Sequence, residues 1–176
     1  MKKNISIFLA IILVVILQTS ILPLCFSEKI IPDLVLVALV SWVSVFGFQY
    51  VWIWAIISGI VLDLFSFTAV GSNVFSFIFF SYCTSFFSKR LILGEKIGGI
   101  LVGVFFISLA TFFHNLWMQL ISVGFKLQKI WEIKIFLLES ASWKIIFNLI
   151  LFFVFILIFK GIRNKFYPSN NLLLGK

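Results

Sequence analysis

Long apolar runs, separated by short polar or glycine-containing breaks, occupy nearly the whole chain. The runs cover residues 5–26, 32–46, 51–65, 70–87, 97–123 and 143–159. A helix needs roughly 20 apolar residues to cross a bilayer, so each run is a candidate span. The pattern predicts an all-α integral membrane protein, a compact bundle of about six transmembrane helices. We expect one transmembrane domain over residues 1–165 and a short cytoplasmic tail over residues 166–176.

Composition excludes a water-soluble domain. Of the 176 residues, 62% are hydrophobic and 11% are charged. A soluble protein carries roughly 25% charged residues, which cover its surface. The net charge of +8 does not indicate nucleic acid, because the lysines and arginines flank apolar runs and form no patch. The lipid bilayer is therefore the expected surrounding, and nucleic acid is excluded as a partner.

An even number of spans places both termini on one side of the membrane, and the basic residues indicate which side. With the termini inside, the inner side carries Lys2, Lys3, Lys89, Arg90, Lys96, Lys160, Arg163, Lys165 and Lys176. The outer side carries the smaller set of Lys29, Lys126, Lys129, Lys134 and Lys144. Cytoplasmic loops are enriched in Lys and Arg, so both termini are predicted to be cytoplasmic.

Three local features refine this topology. Pro32 and Asp33 open the second run, where proline fits a first helical turn and aspartate meets the positive end of the helix dipole. Residues 47–50 (GFQY) allow a tight turn before the third run. The basic segment 125–144 is either a short amphipathic helix in the headgroup layer or an ordinary polar loop.

Asp63 is the most informative single residue, because it lies within an apolar run. A charge near the bilayer centre costs at least ~2.5–3.5 kcal/mol, so this side chain must face the protein interior. A transporter would use such a carboxylate as a substrate or proton site. A structural bundle would use it to hold helices together through hydrogen bonds, and we favour this second interpretation.

Depth along the runs brings other polar residues to the same level. His114 and Asn115 fall in the outer half of the fifth run, and Asn73, Lys144 and Asp33 fall near the outer ends of theirs. These residues are placed to form one polar cluster beneath the outer surface. For His114 and Asn115 we favour a satisfied interior hydrogen-bond network over a ligand site.

The sequence contains none of the common catalytic patterns. GxSxG, HExxH and the P-loop are absent, and the single histidine has no nucleophile at a recognisable spacing. We therefore predict that the protein is not an enzyme and has no catalytic residues, no metal site and no cofactor. Gly99 and Gly103 form a G-x-x-x-G spacing that offers a groove for close helix contact.

Several short motifs occur in a family-specific order over residues 15–75. They are Gln18-Thr19-Ser20, Leu22-Pro23, Ile31-Pro32-Asp33-Leu34, Gly59-x-x-x-Asp63-Leu64, and Gly71 eight residues after the aspartate. In this order, and with the length of six spans, the chain resembles the bacterial rod-shape-determining protein MreD family. The remainder of the chain matches that family in hydropathy and size.

The resemblance implies a non-enzymatic scaffold in the bacterial cytoplasmic (inner) membrane that serves cell-wall elongation. Members of the family associate with MreC, which also contacts the cytoskeletal MreB and the peptidoglycan synthase RodA with its transpeptidase. An MreC-like protein is thus the expected partner, bound through helix faces and short loops, and the RodA machinery is reached indirectly. The candidate structural or partner residues are Pro32, Asp33, Gly59, Asp63, Gly71, His114 and Asn115.

A second function remains open. The same likeness links this topology to the substrate-binding subunits (S components) of energy-coupling vitamin transporters, which are small six-helix membrane proteins. That alternative requires a cavity lined by several polar residues and closed by an outer loop. The interior supply for it consists of Asp63, Asn73, His114, Asn115 and Gln119.

Overall fold

A computed structural model describes residues 2–26, 31–66, 69–91, 96–123 and 130–166, and in these ranges the chain is helical apart from short turns. Six helical rods are present in the described residues. The first is α1 (Lys2–Ile16), which continues through a π-helical turn (Leu17–Ile21) into α2 (Leu22–Cys25); the others are α3 (Leu34–Phe46), α4 (Phe48–Ser66), α5 (Ser72–Leu91), α6 (Lys96–Val123) and α7 (Ile130–Phe166). The prediction of an all-helical chain with about six helices is confirmed for this part of the protein.

Three stretches of helix are long and apolar enough to cross a membrane. They are Ile7–Cys25, Phe48–Ser66 and Ser142–Lys165. Three further apolar stretches are shorter, namely Leu34–Phe46, Ser72–Phe87 and Gly103–Met118. Each of the six falls on one of the apolar runs read from the sequence.

Helix α3 lies at the centre of the bundle. It packs against α1, α4, α5, α6 and α7. Its buried residues are Val35, Leu36, Val37, Leu39, Val40, Ser41 and Val43. A helix that is apolar on all sides is one that is buried on all sides. The core around α3 is completed by large side chains of the neighbouring helices, among them Phe77, Ile107 and Phe152.

Two hydrogen bonds define the directions of the outer helices. The Val35 backbone N–H, at the start of α3, donates to the Gln18 side chain at the far end of the first rod. Arg163, near the end of α7, donates to the carbonyl of Val45 at the end of α3. The start of α1 and the end of α7 therefore lie at the same end of the bundle.

The opposite end is called the polar end below. There the first rod, α4 and α6 end, α3 and α5 begin, and α7 passes with Lys144 and Asn148.

The helix boundaries correct two expectations. Helix α3 begins at Leu34, so Pro32 lies outside its first turn and Asp33 occupies the N-cap position. Helix α7 is continuous from Ile130, so residues 130–142 form neither a polar loop nor a separate helix. Good helix formers and the lack of Gly or Pro between residues 130 and 160 explain this continuity. Residues 124–129 of the basic segment and residues 167–176 of the expected tail lie outside the described residues.

The tight turn at residues 47–50 is shorter than expected. Gly47 has φ of 87°, and its N–H bonds to the carbonyl of Val43. Helix α4 starts at the next residue, Phe48. A single glycine thus reverses the chain, because it alone adopts positive φ without a steric cost.

The outer faces of the bundle expose large apolar side chains. Every rod except the central α3 contributes, for example Leu13 (60% exposed), Ile60 (40%), Phe79 (50%), Phe105 (61%) and Leu157 (71%). Monomeric water-soluble proteins rarely expose continuous apolar surface on this scale. Some serine and threonine hydroxyls inside the bundle, including those of Thr84 and Thr111, bond back to carbonyls one turn earlier. This pairing satisfies a hydroxyl without water.

Candidate functional site

The buried carboxylate of Asp63 caps the start of helix α5. Its Oδ2 accepts a hydrogen bond of 2.7 Å from the Gly71 N–H. Its Oδ1 accepts from the Ser72 hydroxyl at 3.1 Å. The same oxygen accepts from the backbone N–H of Asn73 at 3.2 Å and from its side-chain amide at 2.7 Å. An anion that accepts from the first N–H groups of a helix also meets the positive end of the helix dipole, which stabilises the buried charge.

Two glycines make this capping geometry possible. Gly71 has φ of 98°, which orients its N–H toward Asp63 in a conformation that other residues rarely adopt. Gly59 lies one helical turn before Asp63, on the same face of α4. A Cβ at Gly59 would lie 2.6 Å from the Cα of Val74, so α4 and α5 cross with their backbones in close contact. The G-x-x-x-D spacing therefore builds the α4–α5 pair.

Side chains from distant helices satisfy the start of α3. The Val35 N–H donates to Gln18 Oε1 at 2.9 Å. The Asp33 N–H donates to Asn148 Oδ1 at 3.0 Å. Asn148 is fully buried, and its amide donates in turn to the Thr111 hydroxyl at 2.9 Å. The first rod, α3, α6 and α7 are thus joined through one helix terminus.

Sequence reasoning missed Asn148 and Thr111. Asn148 could have been found in the same way as Asp63, because it too is a strongly polar side chain within an apolar run. The amide of Asn148 carries no charge, and no motif surrounds it. Gly103, which the sequence offered as a contact groove, lies against the Phe152 ring of α7, where a Cβ would come within 2.4 Å of the ring. This glycine therefore serves packing within the chain.

A cavity of ≈ 320 Å³ lies at the polar end. Its polar lining comes from Gln18, Thr19, Asp33, Ser66, Asn73, His114, Asn115 and Lys144. Its apolar lining comes from Ile31, Leu62, Phe65 and Met118. A volume near 300 Å³ is at the lower end of the range for small-molecule sites.

Three atoms of the residues that line this cavity are buried and have no hydrogen-bond partner within the described parts of the chain. They are Asp33 Oδ2, His114 Nδ1 and Asn115 Nδ2. His114 is 5% exposed and Asn115 is 8% exposed. Lys144 Nζ donates to Asn115 Oδ1 at 3.3 Å, a long contact. The expected network around His114 and Asn115 is therefore only partly satisfied by protein groups.

The structure brings together the residues that depth along the sequence placed at one level. Asp33, Asn73, His114, Asn115 and Lys144 all line the cavity. Asp63 lies behind this group, connected to it through Asn73. Pro32, Gly59 and Gly71 do not line the cavity and shape the helix ends and crossings instead; the side chain of Gln119 is outside the described residues.

The polar end contains two kinds of polar group. One kind, represented by Asp63, Gln18 and Asn148, binds helix termini. The other, represented by Asp33, His114, Asn115 and Lys144, faces the cavity. Across the described ranges, no three His, Cys, Asp or Glu side chains converge as a metal ion would require. Comparisons with models of protein families, with curated proteins and with solved structures found no match.

Proposed function

We propose that the chain is a multi-pass protein of the bacterial cytoplasmic membrane with both termini in the cytoplasm. Six apolar helices and large apolar side chains on the outer faces support insertion in lipid. The start of α1 and the end of α7 share one end of the bundle. That end carries Lys160, Arg163 and Lys165, as the positive-inside rule requires of a cytoplasmic face.

Within that membrane, we propose a non-enzymatic scaffold of the cell-wall elongation machinery, of the MreD kind. The observation that carries the proposal is that the motif residues of the resemblance converge in space to build the polar end. Gln18 caps α3, Asp63 caps α5, Gly71 makes the turn into α5, and Gly59 sets the crossing of α4 and α5. Motif residues that build a fold, with no group of them arranged for catalysis, are expected of a scaffold.

The partner in this proposal is an MreC-like protein, through which RodA and its transpeptidase are reached. Helix α7 has 37 residues and is about 55 Å long at 1.5 Å per residue. The hydrocarbon core of a bilayer is only about 30 Å thick. Because Lys144 and Asn148 lie at the polar end, the first turns of α7 extend past it. They offer a helical surface outside the lipid in a chain that otherwise has only short loops.

Depletion and co-purification test the scaffold. Depleting the protein from a rod-shaped host should produce round cells, and an MreC-like protein should co-purify with the full chain in mild detergent. Wild-type protein and a Gly161→Ala variant, which changes an open position, should restore rods. Gly59→Leu, which forces α4 from α5, should not. Normal rods after deletion, together with recovery of the chain without any such partner, would refute the scaffold.

The cavity favours a second candidate, a substrate-binding subunit of an energy-coupling vitamin transporter. Its lining supplies the several polar residues that such a subunit needs. In that case deletion leaves cell shape unchanged and abolishes uptake of one nutrient, and one compound of a vitamin panel raises the melting temperature of the purified protein. A flat response across the panel with loss of rod shape on deletion rejects this candidate.

A further inference from the structure

The residues that line the cavity include both donors and acceptors of hydrogen bonds. Lys144 Nζ and Asn115 Nδ2 are donors, because the Asn115 carbonyl oxygen already accepts from the lysine. Asp33 Oδ2 is an acceptor, and His114 Nδ1 adds a second unpaired polar atom. The cavity is therefore bipolar, with a cation and an anion of the protein in its wall.

The two charges do not neutralise each other. No ion pair joins Asp33 and Lys144 among the described residues, although both line the same cavity. A buried polar group without a partner destabilises the protein, and more strongly when the group is charged. An occupant that carries both a positive and a negative group would satisfy both sides at once. A cluster of about ten waters would fill the same volume, since each water takes about 30 Å³.

We propose that this cavity binds a small zwitterion whose protonated amine lies beside Asp33 and whose phosphate or carboxylate lies beside Lys144 and Asn115. Leu62, Phe65 and Met118 provide apolar wall for the short aliphatic link between the two charges. A scaffold does not require such a site, so the inference goes beyond the proposed function and rests on the cavity alone. The zwitterion is either a free solute or the headgroup of phosphatidylethanolamine.

The first experiment uses the purified full chain in a detergent of zero charge. Phosphoethanolamine and β-alanine serve as zwitterionic probes, whereas ethanolamine carries only positive charge and inorganic phosphate only negative charge. Binding is measured by titration calorimetry and by the shift in melting temperature. At least one zwitterion should bind saturably and at least tenfold more tightly than either single charge. Equal binding of all four compounds, or binding of none, would overturn the proposal and leave a water-filled cavity.

A second experiment distinguishes a free solute from a lipid headgroup as the source of the zwitterion. The chain is reconstituted in nanodiscs of phosphatidylethanolamine with phosphatidylglycerol, or of phosphatidylcholine with phosphatidylglycerol, and released for native mass spectrometry. Retained phosphatidylethanolamine that phosphoethanolamine displaces identifies the lipid headgroup as the source. Binding of the soluble zwitterion with no retained lipid identifies a free solute. Phosphatidylcholine controls for charge alone, because its quaternary ammonium cannot donate a hydrogen bond to Asp33.

Matched variants test which residue binds each charge of the zwitterion. Asp33→Asn should weaken zwitterion binding at least tenfold and leave the weak binding of phosphate unchanged. Lys144→Gln should weaken both. Lys160→Gln, which removes a lysine of the same helix at the opposite end, should change neither. Unchanged zwitterion binding in both cavity variants would refute the assignment. Should a variant fail to fold, the charge selectivity of the wild-type protein decides alone.

The outcome is independent of the scaffold test. Lys144→Gln should still co-purify with the MreC-like partner if the scaffold proposal holds. Loss of zwitterion binding without loss of the partner would show that the two properties are separate. Absence of the partner from the wild-type protein would refute the scaffold and leave the ligand measurement standing.

Discussion

Two aspartates lie at the polar end, Asp33 at the N-cap of α3 and Asp63 in the last turn of α4, and their surroundings differ. The carboxylate of Asp63 accepts hydrogen bonds from the first residues of α5. The carboxylate of Asp33 makes no side-chain capping bond to α3, whose N–H groups bind Gln18 and Asn148 instead. Asp33 lines the cavity, and its Oδ2 is buried without a hydrogen-bond partner among the described residues. The carboxylate of Asp63 thus has a structural role, whereas Asp33 belongs to the proposed binding site.

Replacing Asp63 should destabilise the bundle strongly. In Asp63→Ala the N–H groups of Gly71 and Asn73 lose their acceptor, and each buried donor left unpaired costs about 1–3 kcal/mol. We expect the free energy of unfolding to fall by about 3 kcal/mol or more. Asp63→Asn, which keeps one acceptor oxygen, should lose less. Thermal unfolding in detergent measures both.

The control for Asp63 is its neighbour on the same helix. Ser66→Ala removes a hydroxyl that donates to the Leu62 carbonyl of its own helix. Its melting temperature should remain close to that of the wild type. A melting temperature of Asp63→Ala equal to that of Ser66→Ala would contradict the capping role.

Asn148 offers a second test at the residue scale. Leucine has the same branching and the same number of side-chain heavy atoms but cannot accept from the Asp33 N–H, so Asn148→Leu should lower the free energy of unfolding by about 1–3 kcal/mol. Asn164→Leu, at an exposed position of the same helix, should have little effect. Unfolding curves of the two variants in one detergent give the comparison. Two coincident curves would show that the interhelical bond is not needed.

The sequence predicted the presence of buried polar groups better than it predicted their partners. The energetic cost of burying a charge is local, so Asp63 could be recognised in isolation. Asn73 was among the partners that depth placed at its level, and this is confirmed. The bonds from Ser72 and from the Gly71 N–H were not predicted, because a turn at Gly71 had to be known first. The contact between Gln18 and Val35 depends on the packing of two rods, and no local pattern encodes it.

At the scale of elements, the central helix α3 is shorter than each of the other five rods. Helix α3 has 13 residues and is about 20 Å long. The surrounding helices are longer, with 19 residues in α4 and 20 in α5. The space above the start of α3 is where the cavity lies. A short core helix within longer neighbours is therefore the geometric origin of the site.

The crossing of α4 and α5 should depend on the lack of a side chain at Gly59. In Gly59→Ala the new methyl group would meet the backbone of Val74 at 2.6 Å. The helices must separate, at a cost of about 1–3 kcal/mol. Gly161→Ala is the matched control, because its Cβ meets no atom within 4 Å and alanine favours a helix by about 1 kcal/mol.

The two glycine variants should therefore shift the melting temperature in opposite directions. Differential scanning fluorimetry in detergent is sufficient to detect this. A stabilised Gly59→Ala would mean that α4 and α5 do not make close backbone contact.

Element boundaries were predicted less well than element number. Hydropathy located all six rods, because an apolar run of sufficient length has few alternatives to a helix. It failed at the start of α7, where lysines and glutamates were taken to interrupt the helix. These residues are good helix formers, and polarity alone does not end a helix without glycine, proline or a cap.

At the scale of the whole molecule, alternation of helix direction converts position along the chain into depth. The first, third and fifth rods (α1–α2, α4 and α6) end at the polar end, and the second, fourth and sixth rods (α3, α5 and α7) begin there or pass it. Residues near these helix termini must therefore lie at one end of the bundle. For this reason Asp33, Asn73, His114, Asn115 and Lys144 could be grouped from the sequence. The size of the cavity between them could not, because it depends on how closely the helices pack.

The proposed topology predicts the side of each terminus. A fluorescent protein that folds only in the cytoplasm should be active when fused to either end. Alkaline phosphatase, which needs an oxidising compartment, should be inactive at both. Insertion of the phosphatase between α6 and α7, within residues 124–129, should make it active. Active phosphatase at one terminus and not the other would contradict an even number of spans.

The bond between Asp33 and Asn148 joins residues that are 115 positions apart. At about 5–20 residues per second, the ribosome needs roughly 6–23 seconds to make that interval. During this time the Asp33 N–H at the start of α3 lacks its acceptor in α7, so the newly made bundle is incomplete. A chain stopped before α7 should accordingly be a substrate for membrane quality control. Pulse-chase measurement should show rapid degradation of residues 1–129 and slower degradation when residues 130–176 are supplied as a separate chain.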